Sequence, residues 1–240
     1  MRKNNFLTLA FILLIGIFVS CDKENIDEQD LPGNIPGMGN AGGELEVIEA
    51  FEMPEGLSFD GEITGYDASQ IIVDKGNVTS QNSVKSLSIQ IAGSGGEYIA
   101  ILVGINNNTD QPIPYVIKKG TVFACSEDGY QNGICVKEIV FYIPANSRLQ
   151  LIVQLYCANA GAEGSDSNVT YKQRGVTSSL NMMEIIDALK SKQVNIDEFQ
   201  DLTKYYLWRT KIQAIIWSCT NGGGVSSESW DFIDSLPERI

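Results

Sequence analysis

Residues 148–158 constrain the fold of this chain more than any other segment does. Apolar side chains occupy every second position of the segment, and mostly polar ones stand between them. This two-residue period is typical of a β-strand that buries one of its faces. The buried face would carry Leu149, Leu151, Val153, Leu155 and Cys157.

Shorter segments before it have the same character. Apolar and polar residues alternate over residues 87–91, and residues 98–105 are apolar at nearly every position, as in a central strand covered on both faces. Residues 113–117 and 134–143 predict two more strands, the first an edge strand because of its prolines. Strands at this spacing without helices between them indicate an antiparallel β-sandwich of immunoglobulin-like type. We therefore expect a mainly β protein whose sandwich spans residues 44–160.

The hydrophobic period changes after the last predicted strand. Residues 182–189 carry apolar side chains at helical spacing, behind a capping Thr177 or Ser178. A second, longer helix is predicted to end near Cys219, where Asn-Gly follows. We therefore expect a helical C-terminal region, residues 161–240, with two main helices packed on the sandwich.

The N-terminus has the features of a secretion signal. Two basic residues begin the chain, an apolar stretch of residues 6–19 follows, and the small Ser20 stands directly before Cys21. The apolar stretch is shorter than the roughly 20 residues that a membrane-spanning helix needs. The pattern therefore predicts a signal peptide over residues 1–20.

The residues around the predicted cleavage point carry a resemblance. Phe-Val-Ser-Cys at residues 18–21 resembles a bacterial lipobox, and the acidic stretch after it is similar to the export signal of surface lipoproteins in Bacteroidota. The resemblance implies that Cys21 is lipidated and anchors the protein to the outer membrane, facing the cell exterior. Residues 21–43, rich in glycine and proline, would then be a flexible tether.

The charge balance limits the partners that the protein can have. The chain has 30 Asp and Glu residues against 17 Lys and Arg, a net charge of −13, and no histidine. Nucleic acids require a positive surface, so they are excluded as partners. The absence of histidine excludes catalytic triads that use imidazole and metal sites that contain histidine. We predict no metal and no cofactor.

The cysteines that follow Cys21 admit a structural interpretation. A secreted protein folds where thiols can be oxidised, and an even number of cysteines favours disulfides. Cys125 and Cys135 flank a predicted turn and could pair across it. Cys157 would then pair with Cys219 and join the last predicted strand to the long helix.

A second resemblance concerns Cys157 and Gln213. Residues 155–159, Leu-Tyr-Cys-Ala-Asn, resemble the Tyr-Cys motif of bacterial thioester domains. Residues 212–217, Ile-Gln-Ala-Ile-Ile-Trp, resemble their second motif, a glutamine followed by small and aliphatic residues and then an aromatic one. In that family the cysteine thiol and the glutamine carboxamide condense with loss of ammonia, and a nucleophile on a host surface opens the thioester. The resemblance implies such a bond here, in a site that excludes water.

The disulfide and the thioester are alternatives, because each of them uses the same sulfur atom. A helical projection places Gln213 on the apolar side of the long helix, where a neutral amide needs a partner. Cys157 could be that partner. Cys219 projects from the same side, so the pattern leaves both interpretations open.

These features predict a surface lipoprotein that acts as a non-enzymatic binding or adhesion module for an extracellular protein or glycan. The first alternative is a covalent adhesin with a Cys157–Gln213 thioester. The second is a carboxylate-dependent glycan hydrolase, which the many acidic residues allow although no pair of them stands out.

Overall fold

A computed structural model describes residues 30–74, 77–80 and 89–239. The predicted signal peptide and Cys21 lie outside the described residues. No helix in the described part of the chain is both long enough and apolar enough to cross a membrane. The strands are β1 (Val47–Ala50), β2 (Leu57–Phe59), β3 (Ile63–Tyr66), β4 (Ile71–Asp74), β5 (Asn77–Ser80), β6 (Ile89–Gly93), β7 (Ile99–Asn107), β8 (Ile113–Ile117), β9 (Thr121–Cys125), β10 (Gly133–Ile134), β11 (Ile139–Ile143), β12 (Ser147–Cys157) and β13 (Thr170–Thr177), and the helices are α1 (Leu180–Leu189), α2 (Leu202–Thr220) and α3 (Ser227–Ser235).

Six strands close into an antiparallel barrel. Their order around the ring is β7, β3, β13, β9, β10 and β12. The ring closes because β12 pairs with β7, from Ser147 opposite Asn107 to Leu155 opposite Ile99. Outside the ring, β6 runs parallel to β12. The strands β8 and β11 form a separate two-stranded antiparallel sheet, and Tyr115 and Phe141 of these strands belong to the same buried cluster as the side chains of the barrel interior.

The predicted immunoglobulin-like sandwich is therefore wrong. A sandwich stacks two sheets face to face, with no hydrogen-bonded strand pairs joining them. Here the two longest strands, β7 and β12, each have a hydrogen-bonded neighbour on both edges, so one sheet curls until it meets itself. Alternation of apolar residues is the same in both architectures, because small barrels also bury one face of every strand.

The predicted boundary at residue 160 falls inside the barrel. The strand β13 lies in the region predicted to be helical, and it pairs with both β3 and β9. The barrel is therefore incomplete without residues beyond 160. The helix α1 begins close to the predicted position, but its N-cap is Ser179, whose hydroxyl accepts from the Met182 N–H, rather than Thr177 or Ser178.

The two largest hydrophobic cores of the described residues lie on opposite sides of the barrel wall. The barrel core is its interior and includes the five side chains of β12 that were predicted to share a buried face. The outer core lies between the three helices and the outward faces of β9, β10 and β12. The four apolar residues predicted for α1 are all in the outer core, which also contains Ile35 and Met38.

The segment predicted to be a flexible tether, residues 21–43, is folded from residue 30 onward. Ile35 and Met38 are fully buried. The Gly39 N–H donates to the Ala158 carbonyl at 2.8 Å, directly after β12. Gly39 has a φ of +60°, and a Cβ there would lie 1.8 Å from the Thr220 carbonyl oxygen. The glycines that suggested flexibility thus allow close backbone packing.

Candidate functional site

The end of β12 presents a free backbone edge beside a buried thiol. The side chain of Cys157 points into the barrel core and has no solvent exposure. On one edge, Cys157 lies opposite Gly133 of β10. On the other edge, pairing with β7 ends at Leu155. The N–H and carbonyl of Cys157 therefore need a partner other than a strand.

Gln213 of α2 provides that partner. Its Oε1 accepts from the Cys157 N–H at 2.9 Å, and its Nε2 donates to the Cys157 carbonyl at 2.8 Å. The side chain of Gln213 is only 3% exposed, so these two bonds satisfy a buried amide and two buried backbone groups together. The structure thus brings together the two residues that the resemblance singled out, and they meet through the backbone of Cys157.

The sulfur of Cys157 lies in a polar corner of the barrel core. The indole N–H of Trp217, one helical turn after Gln213, donates to Sγ at 3.3 Å. The backbone N–H of Asn159 donates to the same sulfur at 3.3 Å, and the thiol can donate to the Asn159 carbonyl at 3.4 Å. The ring of Tyr98, 36% exposed, lies 5.1 Å from the ring of Trp217.

Burial determines the ionisation of this thiol. Loss of hydration raises the pKa of Cys157 to about 11, and the N–H donors of Asn159 and Trp217 oppose that rise. The thiol is therefore protonated at neutral pH. The reactive form is the thiolate, and its fraction falls about tenfold for each unit that the pH lies below the pKa.

The four described cysteines are free thiols, so neither predicted disulfide is formed in this structure. Cys157 belongs to the barrel core and Cys219 to the outer core, so the barrel wall separates their side chains. Cys135 is buried and its thiol donates to the Lys137 carbonyl at 2.9 Å, while Cys125 is only partly buried. Burial raises the pKa of both Cys135 and Cys219 to about 12.

Sequence reasoning missed two contributors to the site. Trp217 was predicted to be the aromatic position of a motif, and its hydrogen bond to sulfur was not foreseen. Residues 37–43 were taken as tether, yet the Asn159 side chain donates to the Gly39 carbonyl at 3.3 Å. The signal for the first was present in the spacing, because residues four apart on a helix lie on the same face.

A cleft elsewhere bears on the hydrolase alternative. It has a volume of about 720 Å³ and is lined by Asp197, Glu198 and Arg239, among others. Glu198 is 8% exposed and pairs with the buried Lys137 at 2.7 Å, which holds its carboxylate in a structural ion pair. Burial raises the pKa of Asp197, but this residue is the direct neighbour of Glu198 on one helical turn. This arrangement does not resemble two acids facing each other across a sugar.

Neither comparison with known proteins nor a search for metal-binding side chains indicates a function. No protein-family model, curated protein or solved structure matches the chain. In the described residues, no three Cys, Asp or Glu side chains are grouped so that they could hold a metal ion. The function is therefore inferred from the geometry around Cys157, together with the short motifs.

Proposed function

We propose that this protein is an extracellular adhesin that attaches covalently through a thioester between Cys157 and Gln213. The observation that carries the proposal is the buried pair of hydrogen bonds between the Gln213 carboxamide and the backbone of Cys157. Two short motifs, 56 residues apart, suggested these residues independently of any contact between them.

The two side chains supply every atom that formation of the thioester requires. The sulfur of Cys157 attacks Cδ of Gln213, the bond between Cδ and Nε2 breaks, and the thiol proton leaves with the amide nitrogen as ammonia. No oxidant, metal or cofactor takes part. The product is a thioester that joins β12 to α2.

The hydrogen bonds of Gln213 favour that attack. The Cys157 N–H points at Oε1, where negative charge develops when sulfur adds to the carbonyl, so it acts as an oxyanion donor. A strand side chain leaves the backbone roughly perpendicular to its hydrogen bonds. The thiol therefore leaves the backbone on one side of the plane that holds these two hydrogen bonds, and bond formation requires Sγ to approach Cδ from that side.

Opening of the thioester would attach a partner. An amine adds to Cδ, an amide bond forms, and sulfur leaves with a proton as the Cys157 thiol. A hydroxyl group needs a general base to react at neutral pH, and the chain has no histidine to serve as one. The net charge of −13 also attracts cationic groups. We therefore expect lysine side chains of an extracellular protein to be preferred over glycan hydroxyls.

The remaining expectations fit this proposal. Lipidation of Cys21 would hold the adhesin at the outer membrane, and residues before 30 would link the anchor to the folded part. If no thioester forms, Gln213 is a structural amide, and the protein is the noncovalent binding module expected from its sequence.

Mass spectrometry with methylamine distinguishes these two functions. Full-length protein, purified without reductant, is weighed before and after treatment. A thioester gains one methylamine, about 31 Da, and the gain maps to Gln213. Cys157→Ala and Gln213→Ala should gain nothing, whereas Gln154→Ala, which changes another buried glutamine, should gain as much as the wild type.

The negative outcome is equally informative. No gain in the wild-type protein would contradict the covalent proposal. A gain of about 4 Da on reduction instead would identify two disulfides, which the separation of Cys157 from Cys219 argues against.

A further inference from the structure

The sulfur of Cys157 receives more hydrogen bonds than packing alone requires. A thiol that serves only as a small apolar group can be buried without N–H donors. Here the N–H groups of Trp217 and Asn159 both lie 3.3 Å from Sγ. One donor is fixed by the backbone, and the other is a side chain on the same helix as Gln213.

We propose that Trp217 is a catalytic residue of the thioester, because its indole N–H stabilises the charged sulfur of Cys157 as it attacks or leaves. This inference rests on the proposed function and adds a residue to it. The Asn159 N–H acts at the same atom, but it belongs to the backbone and cannot be removed by substitution.

The role follows from where charge develops in the reaction. When an amine opens the thioester, the bond between Sγ and Cδ breaks and the electron pair stays on sulfur. The proton lost by the amine then reaches that sulfur, and the amide and the free thiol are the products. A thiol leaves faster when its thiolate is more stable, and N–H donors stabilise a thiolate. The same donors assist formation of the thioester, since the same thiolate is then the attacking group.

The position of the indole makes it suited to this role. Trp217 is only partly buried, and its ring packs against the barrel core and contacts the ring of Tyr98. The donor is therefore held by ring packing on one side and by α2 on the other. Four residues earlier on the same helix, Gln213 is fixed by its two bonds to Cys157.

Trp217→Phe separates the hydrogen bond from the packing. Phenylalanine keeps an aromatic ring beside Tyr98 but has no N–H. We expect methylamine to open the thioester about tenfold more slowly, measured on the fraction of protein that contains it. The control is Trp208→Phe on the same helix, whose ring lies 5.3 Å from Phe199, and its rate should not change.

A pH profile gives a readout that a packing defect would not produce. In Gln213→Ala the thiol of Cys157 stays free, so its alkylation by iodoacetamide follows its ionisation. Adding Trp217→Phe should shift the profile of alkylation rate to higher pH by about one unit. Adding Trp208→Phe should leave the profile in place.

The outcomes separate the two proposals. A wild-type protein without thioester overturns both, whereas a thioester that opens equally fast in Trp217→Phe overturns only the role of Trp217. If Trp217→Phe does not fold, NMR of folded Cys157→Ala replaces it. Loss of the sulfur should then speed hydrogen exchange of the Trp217 indole N–H but not that of Trp208, and unchanged exchange at Trp217 would contradict the proposal.

Discussion

The barrel core and the outer core are held together in different ways. Strands that are hydrogen-bonded along their length enclose the barrel core. The outer core is assembled from residues 35–38, three helices and the outward faces of strands, without a continuous hydrogen-bonded framework of its own. It is attached to the barrel by apolar packing on those outward faces and by individual hydrogen bonds between side chains and backbone.

The comparison shows why the candidate site lies where it does. The barrel wall provides a rigid strand that ends at Cys157, and the outer layer provides the amide of Gln213. About two helical turns earlier, α2 makes another buried polar contact with β12, where the Tyr205 hydroxyl donates to Gln154 Oε1 at 2.6 Å. Of these two contacts between α2 and β12, the one at Gln213 joins an amide to a residue that carries a thiol.

The largest expected effect comes from detaching residues 30–43 from the outer core. Gly39→Ala combines an unfavourable φ of +60° with a Cβ placed 1.8 Å from a carbonyl oxygen. We expect the free energy of unfolding to fall by about 4 kcal/mol in urea denaturation. Gly42→Ala is the control, since a Cβ there meets no atom within 4 Å. Equal stability of the two variants would show that residues 30–43 do not hold the outer layer.

The next effect tests the two hydrogen bonds between Gln213 and the backbone of residue 157. In a Cys157→Ala background, which cannot form a thioester, Gln213→Ala leaves the N–H and the carbonyl of residue 157 without their partners. Each unsatisfied buried group costs about 1–3 kcal/mol, so we expect a loss of about 3 kcal/mol relative to the background. A loss below about 1 kcal/mol in the same denaturation assay would mean that water reaches these groups.

The smallest effect concerns the other contact between α2 and β12. Tyr205→Phe removes the hydroxyl whose single hydrogen is shared between two acceptors, Gln154 Oε1 at 2.6 Å and the Gly95 carbonyl at 3.0 Å. Both acceptors remain, and an acceptor tolerates the loss better than a donor, so we expect about 1–2 kcal/mol. Methylamine incorporation at Gln213 should be unchanged. A parallel loss of incorporation would show that the two contacts act as one unit.

The sequence predicted elements that depend on local period. The inward face of β12 and the buried face of α1 follow from alternation and helical spacing, and all their predicted apolar residues are buried. The burial of Gln213 was also predicted from its helical position. These properties depend on neighbours a few residues away, which a single sequence displays directly.

The closure of the barrel could not be predicted in the same way. It depends on which distant strands pair, such as β13 with β9 and β12 with β7. The alternation of apolar and polar residues does not determine which strands pair. The segment at residues 30–43 was misjudged because glycine-rich composition is typical both of flexible linkers and of tight backbone contacts. The contacts of Gly39 with Thr220 and Ala158, which show that the glycines serve tight packing, are known only from the folded structure.

The attachment of the N-terminal segment also determines when the molecule can be completed. Gly33 donates to the Cys219 carbonyl, and Gly39 donates to the carbonyl that directly follows Cys157. During synthesis, residues 30–43 can therefore reach their final contacts only after α2 has been made. Closing so long a loop is a slow, late step in folding. Gln213 and Trp217 are made equally late. The thiol of Cys157 thus has no amide partner until α2 has been made, and the proposed thioester could form only after that point.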